Sequence, residues 1–100
     1  MLNIKIASTG LYFPPKIQTA AELSKLIGRS EEWILSRTGV RERRIAEEPM
    51  DSMAAKAARE AIGGGGSPDC IINGSVTPLQ LIPDSAVFIQ EQLGLNSIPC

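Results

Sequence analysis

Trp33 and Arg37 stand four residues apart within the stretch from Ser30 to Arg44, which reads S-E-E-W-I-L-S-R-T-G-V-R-E-R-R. On a helix that spacing puts both side chains on one face. An indole beside a guanidinium makes a flat, positively charged platform. Such a platform takes a planar base that carries phosphates, because the ring stacks while the cation pairs with the anion. The plainer reading of the same pair is a core tryptophan with an arginine lying along the helix.

Little else in the chain offers chemistry. There is no histidine among the 100 residues, so the commonest general base and the commonest metal ligand are both missing. Cys70 and Cys100 lie far apart in the sequence, and without histidine they make no metal site. Gly63 to Gly66 with Ser67 resembles a phosphate loop only superficially. A true one follows a strand and leads into a helix through Lys-Ser/Thr. Here a helical pattern precedes the glycines and no such lysine follows, so a flexible turn is expected.

Composition bounds the rest. With 43% hydrophobic and 21% charged residues the chain reads as a globular domain, one at most at this length. Its net charge of −1 gives no reason to expect nucleic acid as a partner. Arg29, Arg37, Arg41, Arg43 and Arg44 nevertheless cluster, diluted by Glu31, Glu32 and Glu42, as an anion-facing rim or a solvated face. The sequence shows no secretory signal, no membrane span and no secretory context for its cysteines, so a reduced, cytoplasmic protein is expected.

The elements that must position these residues follow from local signals. Ile4 to Tyr12 alternates weakly and predicts a first strand, ended by Gly10 and Pro14-Pro15. Thr19 with Glu22 forms a capping box for a helix whose apolar edge is Leu23, Leu26 and Ile27, stopped by Gly28. Ser30 caps the Trp33 helix, Glu31 and Glu32 suit its positive end, and Gly39 stops it. Val40 to Ile45 reads as an extended, charged connector.

A third helix starts around Pro49 to Ser52 and carries Met53, Ala54, Ala57, Ala58 and Ala61 to Gly63. So many alanines imply a close approach by another element. Cys70 to Ile72 predicts a short buried parallel strand, with the loop Gly74 to Pro78 at its carboxyl end, where α/β sheets tend to bind ligands. Pro83 in the first turn opens a last helix buried through Ala86, Ile89 and Leu93 and ended by Gly94. Ile98 to Cys100 opens another strand. Both cysteines are therefore expected to be buried, structural thiols.

The run E-E-W-I-L-S-R-T-G-V-R-E-R-R-I resembles the signature of the β-ketoacyl-acyl-carrier-protein synthase III family, the initiating condensing enzymes of bacterial fatty acid synthesis. Thr9 to Pro14, and Ile82 to Ala86 with Gln90, Leu93 and Gly94, match the same family in register. The resemblance implies a layered, thiolase-like α/β fold, of which residues 1–100 would be an incomplete N-terminal segment. It implies an acyltransferase that condenses acyl-coenzyme A with malonyl-acyl-carrier protein, acting as a cytoplasmic homodimer with no cofactor beyond the thioester substrate, no nucleic acid and no membrane.

By the same resemblance, Trp33 stacks on the adenine of coenzyme A, Arg37 contacts its phosphates, and Thr38 lines the same mouth. Ile82 lies at the dimer interface and closes the acyl pocket of the partner subunit. Where the family often has a small hydroxyl residue bonded to the adenine, this chain has Arg29, which has the reach for a phosphate. The family's catalytic Cys, His and Asn fall outside these residues, and Cys100 matches a strand start rather than the nucleophile. The alternatives are a related condensing enzyme of secondary metabolism, a hydroxymethylglutaryl-coenzyme A synthase, or a binding module with no catalysis.

Overall fold

The computed structural model describes residues 2–63, 66–78, 80–96 and 98–100. Contacts divide them into two compact units, Phe13–Glu47 and the pair of segments Met1–Tyr12 and Glu48–Cys100.

The Phe13–Glu47 unit runs strand, helix, helix, strand: β1 (Lys16–Thr19), α1 (Ala20–Ile27), α2 (Glu31–Thr38) and β2 (Glu42–Ile45). Its turns are written locally. Thr19 Oγ1 accepts from the Glu22 N–H at 3.2 Å, and the Glu22 carboxylate accepts from the Thr19 N–H at 3.1 Å, completing the expected box. A cap of this kind is worth about 1 kcal/mol. Gly28 and Gly39 close the two helices with φ of 69° and 67°, the left-handed turn that a side chain would resist.

Val40 to Ile45 is more than a connector. Glu42–Ile45 pairs antiparallel with Lys16–Thr19, with Lys16 opposite Ile45 and Thr19 opposite Glu42. Sequence offered no period-two signal for either strand. The pairing is held by long-range contacts: the Ala20 N–H donates to the Arg41 carbonyl at 2.7 Å, and Arg44 donates to the Pro14 carbonyl at 3.0 Å while lying over the Phe13 ring. Lys16 meets Glu47 at 3.0 Å. The unit buries Ala20 and Ile34, whereas Leu26 and Ile27, expected on the apolar edge of α1, are exposed. Burying Ile34 stabilises by roughly 1.5–3 kcal/mol.

In the other unit, α3 (Met50–Ile62) packs on α4 (Ser85–Leu93) through Ala55, Ala86 and Ile89. The deepest stripe of α3 is Asp51 and Ala55, not the expected Met53–Ala57–Ala61 face, whose members are half-buried. Gln92 Nε2 donates to the buried Asp51 Oδ2 at 2.5 Å, while Asp51 Oδ1 is buried with no hydrogen-bond partner among the described residues. Arg59 donates to the Gln92 carbonyl from the same helix. Helix α4 starts at Ser85, two residues after the Pro83 expected to open it. Asp84 is its cap, accepting from the Ala86 N–H at 2.9 Å, and Pro83 lies outside the helix.

The alanines of α3 do serve a close approach. Gly10 lies where an added Cβ would overlap the backbone of Ala57 and Ala61, and Ser8 Oγ donates to the Ala61 carbonyl at 2.5 Å. Beside this crossing, Glu48 accepts from Lys56 at 2.6 Å and from Ser52 at 2.8 Å, and Lys56 also lies 4.7 Å from the Tyr12 ring centroid. Lys56 first, then Tyr12 and Ser52, pull the Glu48 carboxyl down to about 2. Glu48 in turn holds the Lys56 ammonium above its ordinary range.

The two strands expected here do not form ladders among the described residues. Ile4 and Ile6 are exposed and no segment pairs with them. Among the described residues, Cys70 to Ile72 is joined to Ile98 to Cys100 by one backbone bond, Ile71 N–H to the Pro99 carbonyl at 2.9 Å. Cys70 and Cys100 are both exposed free thiols, which corrects the expectation of buried ones. A parallel strand is buried only when layers cover both of its faces, and the described residues do not supply them. Of the glycine turn, Gly64 and Gly65 lie outside the described residues, as do Leu79 and Ser97.

Candidate functional site

Helix α2 is anchored by Ile34, only 1% exposed, and this orientation turns the preceding residue outward. Trp33 is 38% exposed, so it is not the core tryptophan of the plainer reading. Its backbone is held at both ends. Its N–H donates to the Ser30 cap at 3.0 Å, and its carbonyl accepts from Ser36 Oγ at 2.9 Å.

Arg37 lies with its guanidinium carbon 5.7 Å from the Trp33 ring centroid, as the spacing predicts. Arg29 comes closer, at 5.0 Å. It precedes the Ser30 cap, so the indole is bracketed by a cation from each end of the helix. Sequence reading placed Arg29 near the site without its contact to Trp33. The available signal was its separation of four residues from Trp33, matching that of Arg37 on the other side. Among the described residues neither arginine makes an ion pair. An exposed aromatic with two uncommitted guanidiniums can stack a planar group and neutralise anions attached to it.

Thr38 is exposed next to Arg37, but its hydroxyl is already used: it donates to the Ile34 carbonyl at 2.8 Å and accepts from the Val40 N–H at 3.1 Å. Its visible work is to close the carboxyl end of α2. Ile82 belongs to the other unit, in the stretch before α4, and is 87% exposed. The loop Gly74 to Pro78 is exposed and turned by short bonds, with the Ser75 N–H donating to Asn73 Oδ1 at 3.2 Å. Cys100 Sγ donates to Gln90 Oε1 at 2.8 Å. Among the described residues no three His, Cys, Asp or Glu side chains gather to hold a metal ion, and no helix is long and apolar enough to cross a membrane.

No protein-family model matches the chain. Individual proteins do. It is 42% identical to the β-ketoacyl-[acyl-carrier-protein] synthase III of Chlamydia trachomatis serovar D, over 98% of this chain and 32% of that protein. The crystal structure of 3-oxoacyl-[acyl-carrier-protein] synthase III from Aquifex aeolicus VF5 superposes with a TM-score of 0.88 at 41% identity, covering 95% of this chain and 32% of that one. The priming β-ketosynthase of the R1128 polyketide biosynthetic pathway superposes with a TM-score of 0.71 at 28% identity, covering 96% of this chain and 31% of that one. The chain thus spans about a third of the length of the relatives it matches.

Proposed function

Because this chain is homologous, along nearly its whole length, to β-ketoacyl-[acyl-carrier-protein] synthase III and shares its thiolase-like α/β fold, we propose that it forms the N-terminal third of a condensing acyltransferase. That enzyme takes an acyl group from acyl-coenzyme A and condenses it with malonyl-acyl-carrier protein to initiate fatty acid synthesis. The observation that carries the reading is the exposed Trp33 between two uncommitted guanidiniums. In this reading Trp33 stacks on the adenine of coenzyme A, Arg37 pairs with its phosphates, and Thr38 stiffens the end of the helix at the mouth.

The catalytic Cys, His and Asn belong to the remaining two thirds of the enzyme. The Cys thiolate accepts the acyl group there, while His and Asn assist decarboxylation and steady the oxyanion. Ile82 is an apolar residue with nothing over it, suited to a homodimer interface where it closes the acyl pocket of the partner subunit. The free thiols fit a reducing cytoplasm. The likeness to a priming ketosynthase of a polyketide pathway favours one second reading, a priming enzyme of secondary metabolism with the same coenzyme A platform.

The test is to incubate the full protein with labelled acyl-coenzyme A and malonyl-acyl-carrier protein and to look for a β-ketoacyl-carrier product by mass spectrometry. Failure to form that product from any acyl-coenzyme A sinks the reading. Product formed with the carrier protein of a polyketide synthase but not with that of fatty acid synthesis favours the second.

A further inference from the structure

We propose that Arg29 is a specificity-determining residue of the Trp33 platform, pairing with a phosphate on the ribose of the nucleotide that stacks there. This rests on the coenzyme A reading above and assigns a role to a residue that reading does not need.

The platform has one aromatic ring and two guanidiniums, set beyond opposite sides of Trp33 in the sequence and both within 6 Å of its ring centroid. Neither guanidinium has an anionic partner among the described residues. The complementary ligand therefore has one planar base and two separate anionic groups. A nucleotide with only a 5′ phosphate chain supplies one. A nucleotide phosphorylated on the ribose as well supplies both.

The two arginines are not equivalent. Arg29 lies 5.0 Å from the centroid against 5.7 Å for Arg37, so it stands nearer to the place a base would occupy. The ribose is the part of the ligand attached directly to that base. Arg37 is left to the more distant diphosphate. Arg29 also lies outside the helix, before the Ser30 cap, so its side chain can turn without disturbing α2. A guanidinium over an exposed ring is a weaker contact than a stacked base. An arriving base thus displaces Arg29 from the indole, and the freed fork then finds the ribose phosphate, which it can hold through two parallel hydrogen bonds.

Trp33 is the only tryptophan among residues 1–100, so the part of the full protein's fluorescence change that a Trp33→Phe control removes reports the platform. The full protein, wild type and the variants Arg29→Ala and Arg29→Lys, is titrated with coenzyme A and with dephospho-coenzyme A, which lacks only the ribose phosphate. Wild type should bind coenzyme A more tightly. Arg29→Ala should shrink that preference by about three- to five-fold, the upper part of the range for an exposed ion pair, with dephospho-coenzyme A much less affected. Arg29→Lys should keep part of the preference, having the charge without the fork. Arg29 is exposed, and far-UV circular dichroism on both variants confirms that the helix survives. If both ligands quench Trp33 in wild type and Arg29→Ala keeps the full preference, Arg29 is not the contact, while the platform stands. If neither ligand perturbs Trp33 in wild type, the platform reading itself fails and takes this role with it.

Discussion

Gly10 crosses helix α3 against Ala57 with no room for a side chain: a Cβ on Gly10 would overlap the Ala57 carbonyl oxygen. The obstacle is backbone, and helix backbone cannot swing aside as a flexible side chain does. Gly10→Ala should therefore cost roughly 1–3 kcal/mol through overpacking. It should also weaken the Ser8 to Ala61 hydrogen bond two residues away. Denaturant unfolding of both proteins measures this, and an unchanged midpoint would show that the crossing is looser than described.

Trp33→Ala separates platform from core. Loss of a base-stacking aromatic should weaken acyl-coenzyme A by about 1–3 kcal/mol. Because Trp33 is partly exposed, stability should fall by less than the 3–5 kcal/mol that is typical for a core aromatic truncated to alanine. Melting curves and the Michaelis constant are read together. A large drop in melting temperature with an unchanged Michaelis constant would return Trp33 to the core.

The Glu48–Lys56 pair gives the protein an acid-sensitive clasp. Its carboxyl is lowered from an ordinary 4.5 to about 2 when folded. A depressed carboxyl contributes stability that is present above its unfolded value and is lost as the pH falls through its folded one. Wild type should therefore exceed Glu48→Gln in melting temperature near neutral pH, and the gap should close between pH 4.5 and about 2. Lys56, held above its ordinary range, keeps its share until alkaline pH. A gap that stays constant through the acid window would show that the pair is not coupled to folding.

Cys100 is exposed, and its Sγ donates to Gln90 Oε1. Cys100→Ser in the full protein should leave acyl transfer within a few-fold of wild type. The stability cost should stay within about 0.5 kcal/mol, as for an ordinary surface change, because a hydroxyl can take over the bond to Gln90. Mass spectrometry after exposure to labelled acyl-coenzyme A checks the assignment. An acyl group on the peptide containing Cys100, absent from the serine variant, would make it the nucleophile.

Residues 1–100 expressed alone should associate. Leu2, Ile4 and Ile6 leave a period-two apolar row exposed, and Ile72, Val76, Leu81 and Ile82 add further exposed apolar surface. Unpaired strand edges and apolar patches of this kind recruit other chains. Sedimentation or light scattering should show oligomers or aggregates. A monomer with a sharp, cooperative unfolding transition would contradict this.

The helices and the Trp33–Arg37 pair were legible in sequence because their determinants lie within four residues. Thr19 caps with Glu22, Ser30 with the Trp33 N–H, and Gly28, Gly39 and Gly94 turn left-handed at the ends. Such bonds close inside one turn and need no help from distant chain. What packs against what was not legible. The β1–β2 ribbon joins segments whose patterns carry no strand period, and Lys56 finds Tyr12 from 44 residues away. Asp51 is buried against its polarity, with one carboxylate oxygen paired to the Gln92 that α4 brings to it. Ile4 to Tyr12 and Cys70 to Ile72 carried a strand pattern, yet a strand is completed only by a neighbour's hydrogen bonds. Whether that neighbour comes is settled by tertiary packing, where long-range burial and pairing outweigh local preference.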